Sequence, residues 1–433
     1  SPEKITSADM GYIFEELIRK FSESYDEQAG AHFTSRDIIY LMAELLVAPE
    51  KAEIMAEGCT KTAYDMAMGT SQMLGCLTER LQAISADTTL TCFGQEFNPE
   101  TYAIAKADML IKGGNASGMK YGDTLSDDAF SGYEFDYIIS NPPFGIDWKR
   151  EKTQVESEAK HGFDGRFGPG LPAISDGQML FLLNGVKKLK SGSGRMAIIQ
   201  NGSSLFTGDA GSGASEIRRY VIEGDLVEAI IQMPTDLFYN TGISTYIWVL
   251  TKGKTMQRSG RVQLIDASKC YVKRRKNIGN KRVDLDDACI RLILRAYEGF
   301  ADETCEESGL IVESKVFVNR FFGFTKVTVE TAQTDEQGKP ILKKGKKQPV
   351  KGATDTEIIP LSENIDAYME KNVLPYNPLA YIDHTKDKIG YEVPFTRLFY
   401  QFVPPTPSDE IFAEIKELEA EESALMKELF GNA

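Results

Sequence analysis

The sequence predicts an α/β fold: a doubly wound sheet of about seven strands, preceded by N-terminal helices and followed by a C-terminal mixed region that ends in a helix. Three observations carry this. From Thr62 onward, short apolar strands alternate with amphipathic helices, the pattern of βαβ units around a mainly parallel sheet. Several of these strands run directly into Asp, Glu or Asn beside Gly or Pro, at the strand ends where such sheets hold ligands. The third is an absence: the longest apolar runs, such as Tyr246–Leu250, stop within a handful of residues, far short of the ~20 that span a membrane.

The elements follow in order. Met10, Ile13, Phe14, Leu17, Ile18 and Phe21 recur at helical spacing, and so do Ile38, Ile39, Met42, Leu45 and Leu46, giving two amphipathic helices joined by Gly30–Ser35. A strand over 62–65 leads to a helix over 71–84 and a second strand over 88–93. Asn98-Pro99 opens the next helix with a capping side chain and a proline at its first position. A third strand ends near Asp123, and a fourth is Phe135–Ser140. A helix (Gln178–Lys190), a strand (Arg195–Gln200), a helix (Ser215–Glu223) and two strands (Leu226–Gln232, Ser244–Leu250) complete the sheet. The stretch 148–177 has neither period and crowds glycines and prolines into its second half, around His161, Arg166 and Phe167, which reads as a functional loop. Beyond it, basic residues cluster over 269–282 and again over 339–351, the latter resembling a hairpin tip between strands at 325–331 and 356–360. Pro404–Ser408 precedes a last helix bearing Ile411, Ile415, Leu418, Leu425 and Leu429. The expected domains are a helical segment, 1–50; a core, 51–255; a mixed region, 256–403; and a candidate docking helix, 404–433.

Composition narrows the function. With 49 Lys+Arg against 64 Asp+Glu the 433-residue chain carries a formal charge of −15, so bulk charge will not grip nucleic acid; DNA binding needs a local basic surface or a basic partner. An apolar fraction of 42% suits a globular protein with a real core and excludes collagen-like or wholly disordered chains. The six cysteines contain no C-x-x-C pair and only three histidines accompany them, so no zinc site can be assembled. They read as free thiols of a cytoplasmic protein. Ser1-Pro2-Glu3-Lys4 lacks the basic-then-apolar pattern of a signal peptide.

Four strand ends carry candidate chemistry. At Asp65-Met66-Ala67-Met68-Gly69-Thr70 an acid closes a strand and a glycine permits a tight turn toward a ligand; alone, this is equally an ordinary strand–helix turn. Glu96 is placed to accept both hydroxyls of a ribose. Asp123 can accept from an exocyclic amine, though Gly-Asp also closes strands for turn reasons. The decisive segment is Asn141-Pro142-Pro143-Phe144-Gly145 after an apolar strand. Neither proline can donate a main-chain hydrogen bond and both have fixed φ. The Asn141 side-chain oxygen and the Pro142 carbonyl can then both accept from one amino group. An adenine amine is a poor nucleophile because its lone pair is delocalised; two acceptors favour a pyramidal nitrogen whose lone pair can reach an electrophilic methyl. Phe144 offers a face for an extruded base.

Asn141-Pro142-Pro143-Phe144 resembles the N-P-P-F signature of the S-adenosylmethionine-dependent amino methyltransferases, the N6-adenine DNA enzymes above all. More narrowly the chain is similar to the modification (M) subunit of type I restriction–modification systems, through Gly94–Thr101, Leu226–Phe238 running into Thr241-Gly242-Ile243, and Pro394-Phe395-Thr396-Arg397. The likeness is strong over 10–255 and loose over 260–433. It implies a Rossmann-like methyltransferase sheet with no metal. Asp65, Gly69 and Thr70 would line the methionine end of the cofactor, Glu96 would hold its ribose, and Asp123 its adenine. Phe33 and Thr34 would close the pocket, and Asn141, Pro142 and Phe144 would present the target base. Pro143, Arg166 and Phe167 are the candidates for touching DNA. The implied partners are double-stranded DNA, a specificity (S) subunit, a second M subunit and a restriction (R) subunit. Three features depart from the family: Asp-Met-Ala-Met-Gly stands where Asp-Pro-Ala and further glycines are usual, Thr34-Ser35 stands where Thr-Pro is usual after the aromatic, and the long N-terminal helical domain is nearly absent. Two alternatives share the fold: transfer to an rRNA guanine or a protein glutamine, the latter usually with Tyr where Phe144 stands, or a scaffold without cofactor.

Overall fold

The structure, a computed structural model, describes residues 34–143, 145–239, 241–400, 405 and 407–431. The helix expected over 10–21, Phe33 and Phe144 lie outside the described residues. The chain divides into two compact units at Pro394/Phe395.

In the larger unit α1 (Arg36–Val47) precedes β1 (Thr60–Asp65), α2 (Gln72–Ile84), β2 (Thr89–Glu96), α3 (Pro99–Ile111), β3 (Met119–Tyr121), β4 (Tyr137–Ser140), α4 (Lys152–Ala159) and α5 (Gln178–Lys188). There follow β5 (Arg195–Asn201), α6 (Gly213–Glu223), β6 (Val227–Gln232), β7 (Thr245–Thr251), β8 (Arg261–Asp266), the hairpin β9 (Val272–Ile278)–β10 (Lys281–Asp284), α7 (Asp287–Gly299), β11 (Glu303–Glu307) and β12 (Leu310–Val318). Asn98 caps α3 as its sequence predicts, accepting from the Glu100 and Thr101 amides at 2.9 and 3.1 Å.

The expected α/β sheet is present and larger than predicted. Ten strands run in the order β11-β12-β8-β6-β7-β5-β4-β1-β2-β3. β1, β2, β3, β4 and β5 pair in parallel, as do β6 and β8, while β7 enters antiparallel between β5 and β6. The buried faces of β5, β6 and β7 explain their near-continuous apolar runs. The sheet continues past the boundary expected at 255: β8 pairs with β6, and β12 and β11 extend the same sheet to residue 318. α7, from that same region, packs against α1, so eight of the twelve α1 residues are buried, more than an amphipathic surface helix would hide.

A buried ionic cluster ties α1 to the sheet. Arg195 donates through Nε to the Leu46 carbonyl at 3.0 Å and through Nη2 to Glu228 Oε2 at 2.6 Å and Tyr297 Oη at 2.7 Å. Arg258 adds a second cation 3.5 Å from Glu228 Oε1. Burial opposes ionisation of Glu228, but the two guanidiniums hold its carboxyl below the usual range.

The stretch 148–177 is not the unstructured loop its composition predicts. It contains α4 and a 3-10 turn, Gly162–Asp164. Its ends are joined: Trp148 N and Nε1 donate to the Ile174 and Ala173 carbonyls, at 3.1 and 3.0 Å, and Gly177 N donates to the Ile146 carbonyl at 3.0 Å. Further on, β13 (Gly323–Ala332) pairs antiparallel with β16 (Pro349–Pro360), confirming the expected hairpin, and with β17 (Ala380–Ile382) and β18 (Lys388–Tyr391). At its exposed tip sit β14 (Leu342–Lys343) and β15 (Lys346–Lys347). In the smaller unit α8 (Ser408–Phe430) carries the predicted stripe, with Ile411, Ile415, Leu418, Leu425 and Leu429 all exposed. Among the described residues no helix is long and apolar enough to cross a membrane, and all six cysteines are free.

Glu228→Ala leaves Arg195 and Arg258 buried without their carboxylate, so denaturant titration should show a loss of about 3–5 kcal/mol in unfolding free energy. Removing Glu216 from the half-exposed pair with Arg219 should cost under about 1 kcal/mol.

Candidate active site

Parallel pairing sets the site. β1 and β4 are neighbours, with Ala63 opposite Tyr137 and Tyr64 opposite Ile138, so Asp65 and Ser140-Asn141 emerge side by side at their carboxyl ends. β2 lies on the other side of β1, with Asp65 opposite Gly94, which brings Glu96 to the same edge.

Asp65 is almost fully buried. Its Oδ1 accepts from Ser140 Oγ at 2.6 Å and from the Ala67 amide at 3.1 Å. Burial pushes its pKa up to about 7 despite those two bonds, and the nearby Glu96 charge adds to the rise. Glu96 accepts from the Gly69 amide at 2.9 Å and the Asn98 amide at 2.7 Å; burial still raises its pKa against those donors. Gly69 has φ +53°, a conformation that favours glycine. The glycine-poor turn forms because Met68 fills the space beside Gly94: a Cβ on Gly94 would lie 2.3 Å from Met68 Sδ. Thr70 is half-buried beside this turn, and the buried Ser71 Oγ that follows has no hydrogen-bond partner among the described residues.

Asn141 is 8% exposed. Its Nδ2 donates to Thr34 Oγ1 at 2.9 Å, while its Oδ1 is buried with no hydrogen-bond partner among the described residues. The amide is thus held by one end and presents a desolvated acceptor at the other, an arrangement that costs free energy until a donor arrives. Pro142 is buried and Pro143 half-buried. The corner is anchored beyond them, where Asp176 Oδ1 accepts from the Gly145 amide at 3.3 Å. Asp176 is in turn held through Oδ2 by Gln178 Nε2 at 2.6 Å and Ser203 Oγ at 2.7 Å.

Asp123 serves first as a turn residue, its Oδ1 accepting from the Leu125 and Ser126 amides at 2.7 and 3.3 Å. Glu151, just before α4, faces it: burial and the Asp123 carboxyl together raise the Glu151 pKa. Arg166 and Phe167 are placed differently from the DNA-facing role expected of them. Phe167 is fully buried, with the Arg166 guanidinium 4.6 Å from its ring centre. All five guanidinium donors are engaged internally, by Glu158, Asn184 and the Thr124 and Leu125 carbonyls. The pair fastens the 148–177 segment to the strand-end loops. Sequence reasoning missed Ser140, Asp176 and Glu151; only Ser140 left a signal, as the residue directly before Asn141.

The chemistry of these groups suits a ligand with a cationic centre and vicinal hydroxyls: two carboxylates of raised pKa, a left-handed glycine turn and orphaned buried oxygens. Among the described residues no group of His, Cys, Asp or Glu could hold a metal ion. A largely parallel sheet with acids at the ends of β1 and β2 and an Asn-Pro-Pro corner at the end of β4 defines a methyltransferase of the Rossmann-like class. The chain belongs to the N-6 DNA methylase family, whose model matches residues 6–336. It is 27% identical to the type I restriction enzyme HindI methylase subunit of Haemophilus influenzae, over 77% of this chain and 71% of that protein. It is 26% identical to the MjaIX methylase subunit of Methanocaldococcus jannaschii, over 62% of this chain but only 46% of that protein. Among solved structures it is similar to the type I restriction-modification methyltransferase subunit of Streptococcus thermophilus, with TM-score 0.57 and 27% identity over 72% of this chain and 60% of that one.

The Asp65 shift has a sign. Its pKa rises from 3.8 unfolded to about 7 folded, so the folded state binds more protons between those values and stability falls as pH rises through that window. Asp65→Asn keeps both accepted hydrogen bonds and removes the buried charge. Chemical denaturation should therefore show the variant more stable by about 4 kcal/mol at pH 8, with the difference nearly gone by pH 4.

Proposed function

We propose that this chain transfers a methyl group from S-adenosylmethionine to the N6 amine of an adenine in double-stranded DNA, as the modification subunit of a type I restriction–modification complex. The observation that carries the reading is the buried Asn141 Oδ1, without a partner among the described residues and held in place by Thr34 beside the Asp65 corner. S-adenosylmethionine supplies a methyl on a sulfonium, which leaves as a neutral thioether. The chain's residues do the rest. Gly69, Thr70, Glu96 and Asp65 bind the donor: Glu96 takes the ribose hydroxyls, and Asp65, ionised above about pH 7, favours the cationic end. Asp123 accepts from the donor's adenine, and Phe33 closes the pocket beside Thr34.

Asn141 Oδ1 and the Pro142 carbonyl accept from the target amine. They draw its hydrogens away from the ring plane and stabilise the positive charge that grows on nitrogen. Phe144 and Pro143 support the extruded base. Alignment of nitrogen, methyl and sulfur supplies much of the remaining rate. A specificity subunit would read the DNA sequence, with α8 as its docking element, and a second M subunit and a restriction subunit would complete the assembly.

Asn141→Ala should lower label transfer from S-adenosylmethionine to adenine by about 10²–10³-fold, while calorimetry gives the donor an affinity close to that of the unaltered chain. Thr34→Val, which frees the Asn141 amide to rotate, should cost a smaller factor, about tenfold, in kcat. No transfer by the chain with its specificity partner, or transfer untouched by Asn141→Ala, rejects the reading.

A further inference from the structure

The β9–β10 hairpin concentrates charge in a way the rest of the chain does not. Between Lys269 and Arg282 the sequence holds seven Lys and Arg and no Asp or Glu, in a chain of net charge −15. Two of the seven are structural: Arg274 pairs with Asp284, and Lys281, 1% exposed, lies 3.0 Å from Asp37. The others, Lys269, Lys273, Arg275, Lys276 and Arg282, are exposed and make no ion pair among the described residues. Like charges so close repel one another, and no carboxylate is interleaved with them along the segment itself.

The hairpin is firmly seated. Asn280 N and Arg282 N donate to the Tyr239 and Asp236 carbonyls, both at 2.8 Å, and the Lys281 ammonium donates to the Leu237 carbonyl at 3.0 Å. Gly279 at the tip has φ +55°, and a Cβ there would lie 2.5 Å from the Tyr239 carbonyl oxygen. Against this loop the hairpin forms a cavity of about 350 Å³ lined by Lys273, Arg274, Arg282, Asn277 and Ser268, with one carboxylate, Asp236. The mix of three cations, an amide and a hydroxyl matches phosphate oxygens, which accept from all of them.

Its position matters as much as its charge. Lys281 Nζ donates to Ser35 Oγ at 3.1 Å, and the adjacent Thr34 holds Asn141. The tip of the hairpin is therefore one residue and two hydrogen bonds from Asn141. We infer that the β9–β10 hairpin and its cavity bind backbone phosphates of the DNA duplex next to the base being methylated. This rests on the DNA reading above and adds to it the surface by which an acidic chain holds its substrate at the socket.

The test measures binding of the full chain to a fluorescent DNA duplex by anisotropy across a salt series, with methyl transfer followed in parallel. In Lys273→Ala/Arg275→Ala/Lys276→Ala the dependence of log affinity on log salt should flatten by about two to three units, nearly one for each phosphate left without its cation. Affinity should fall at least tenfold at about 100 mM salt, with S-adenosylmethionine binding and thermal unfolding unchanged. Lys343→Ala/Lys346→Ala, on the other basic tip, should leave the slope as it was. An unaltered slope in the hairpin variant, while the chain still binds and methylates DNA, overturns the clamp alone. A chain that neither binds DNA nor methylates it overturns both readings. Inorganic phosphate at matched ionic strength separates the sources: a cavity that takes free phosphate, with equal DNA affinity in variant and unaltered chain, also rejects the proposal.

Discussion

The side-by-side pairing of β1 and β4 is the constraint on which the site depends. Two parallel strands can end at one edge only if a crossover carries the chain back each time. Here α2, β2, α3 and β3 intervene before β4 returns to lie against β1. The hydrogen bond from Ser140 to Asp65, 2.6 Å between fully buried groups, closes the two strand ends into one corner. Asn141 and Pro142 sit within two residues of that bond, and Thr34 is hydrogen-bonded to Asn141.

Strain in the site is electrostatic more than conformational. Asp65 and Glu96 are both held in surroundings that disfavour their charge, and Asn141 Oδ1 and Ser71 Oγ are buried without partners among the described residues. A core selected for stability alone would have none of these. Each is relieved by a ligand of complementary chemistry, so the free energy withheld from the unliganded fold becomes available on binding. The same logic extends to the β9–β10 hairpin, where seven Lys and Arg and no acid lie between Lys269 and Arg282.

The region after residue 255 is integral to the site. α7 covers α1, β8 extends the sheet, and Lys281 reaches back to the start of α1 through Ser35 and Asp37. Since α1 begins just after Thr34, the partner of Asn141 is positioned by a hairpin nearly 250 residues later in the chain. A lysine buried to this degree is tolerable only with its acceptors supplied, and Asp37, Ser35 and the Leu237 carbonyl supply them.

Sequence alone determined the alternation of strands and helices, the strand ends carrying Asp65, Glu96 and Asn141, and the Asn98 cap, because these follow from local periodicity and backbone chemistry. The hairpin of β13 and β16 was legible for the same reason. What the tertiary structure decided are the relations between distant residues: the three extra strands, the burial of α1, and the packing of Met68 against Gly94. It also decided that Arg166 and Phe167, whose residue types suit phosphate and base, are spent on internal packing, with every guanidinium donor taken. Composition shows which groups a segment offers, but only the fold decides whether their hydrogen bonds and faces are consumed by the protein itself or left for a ligand.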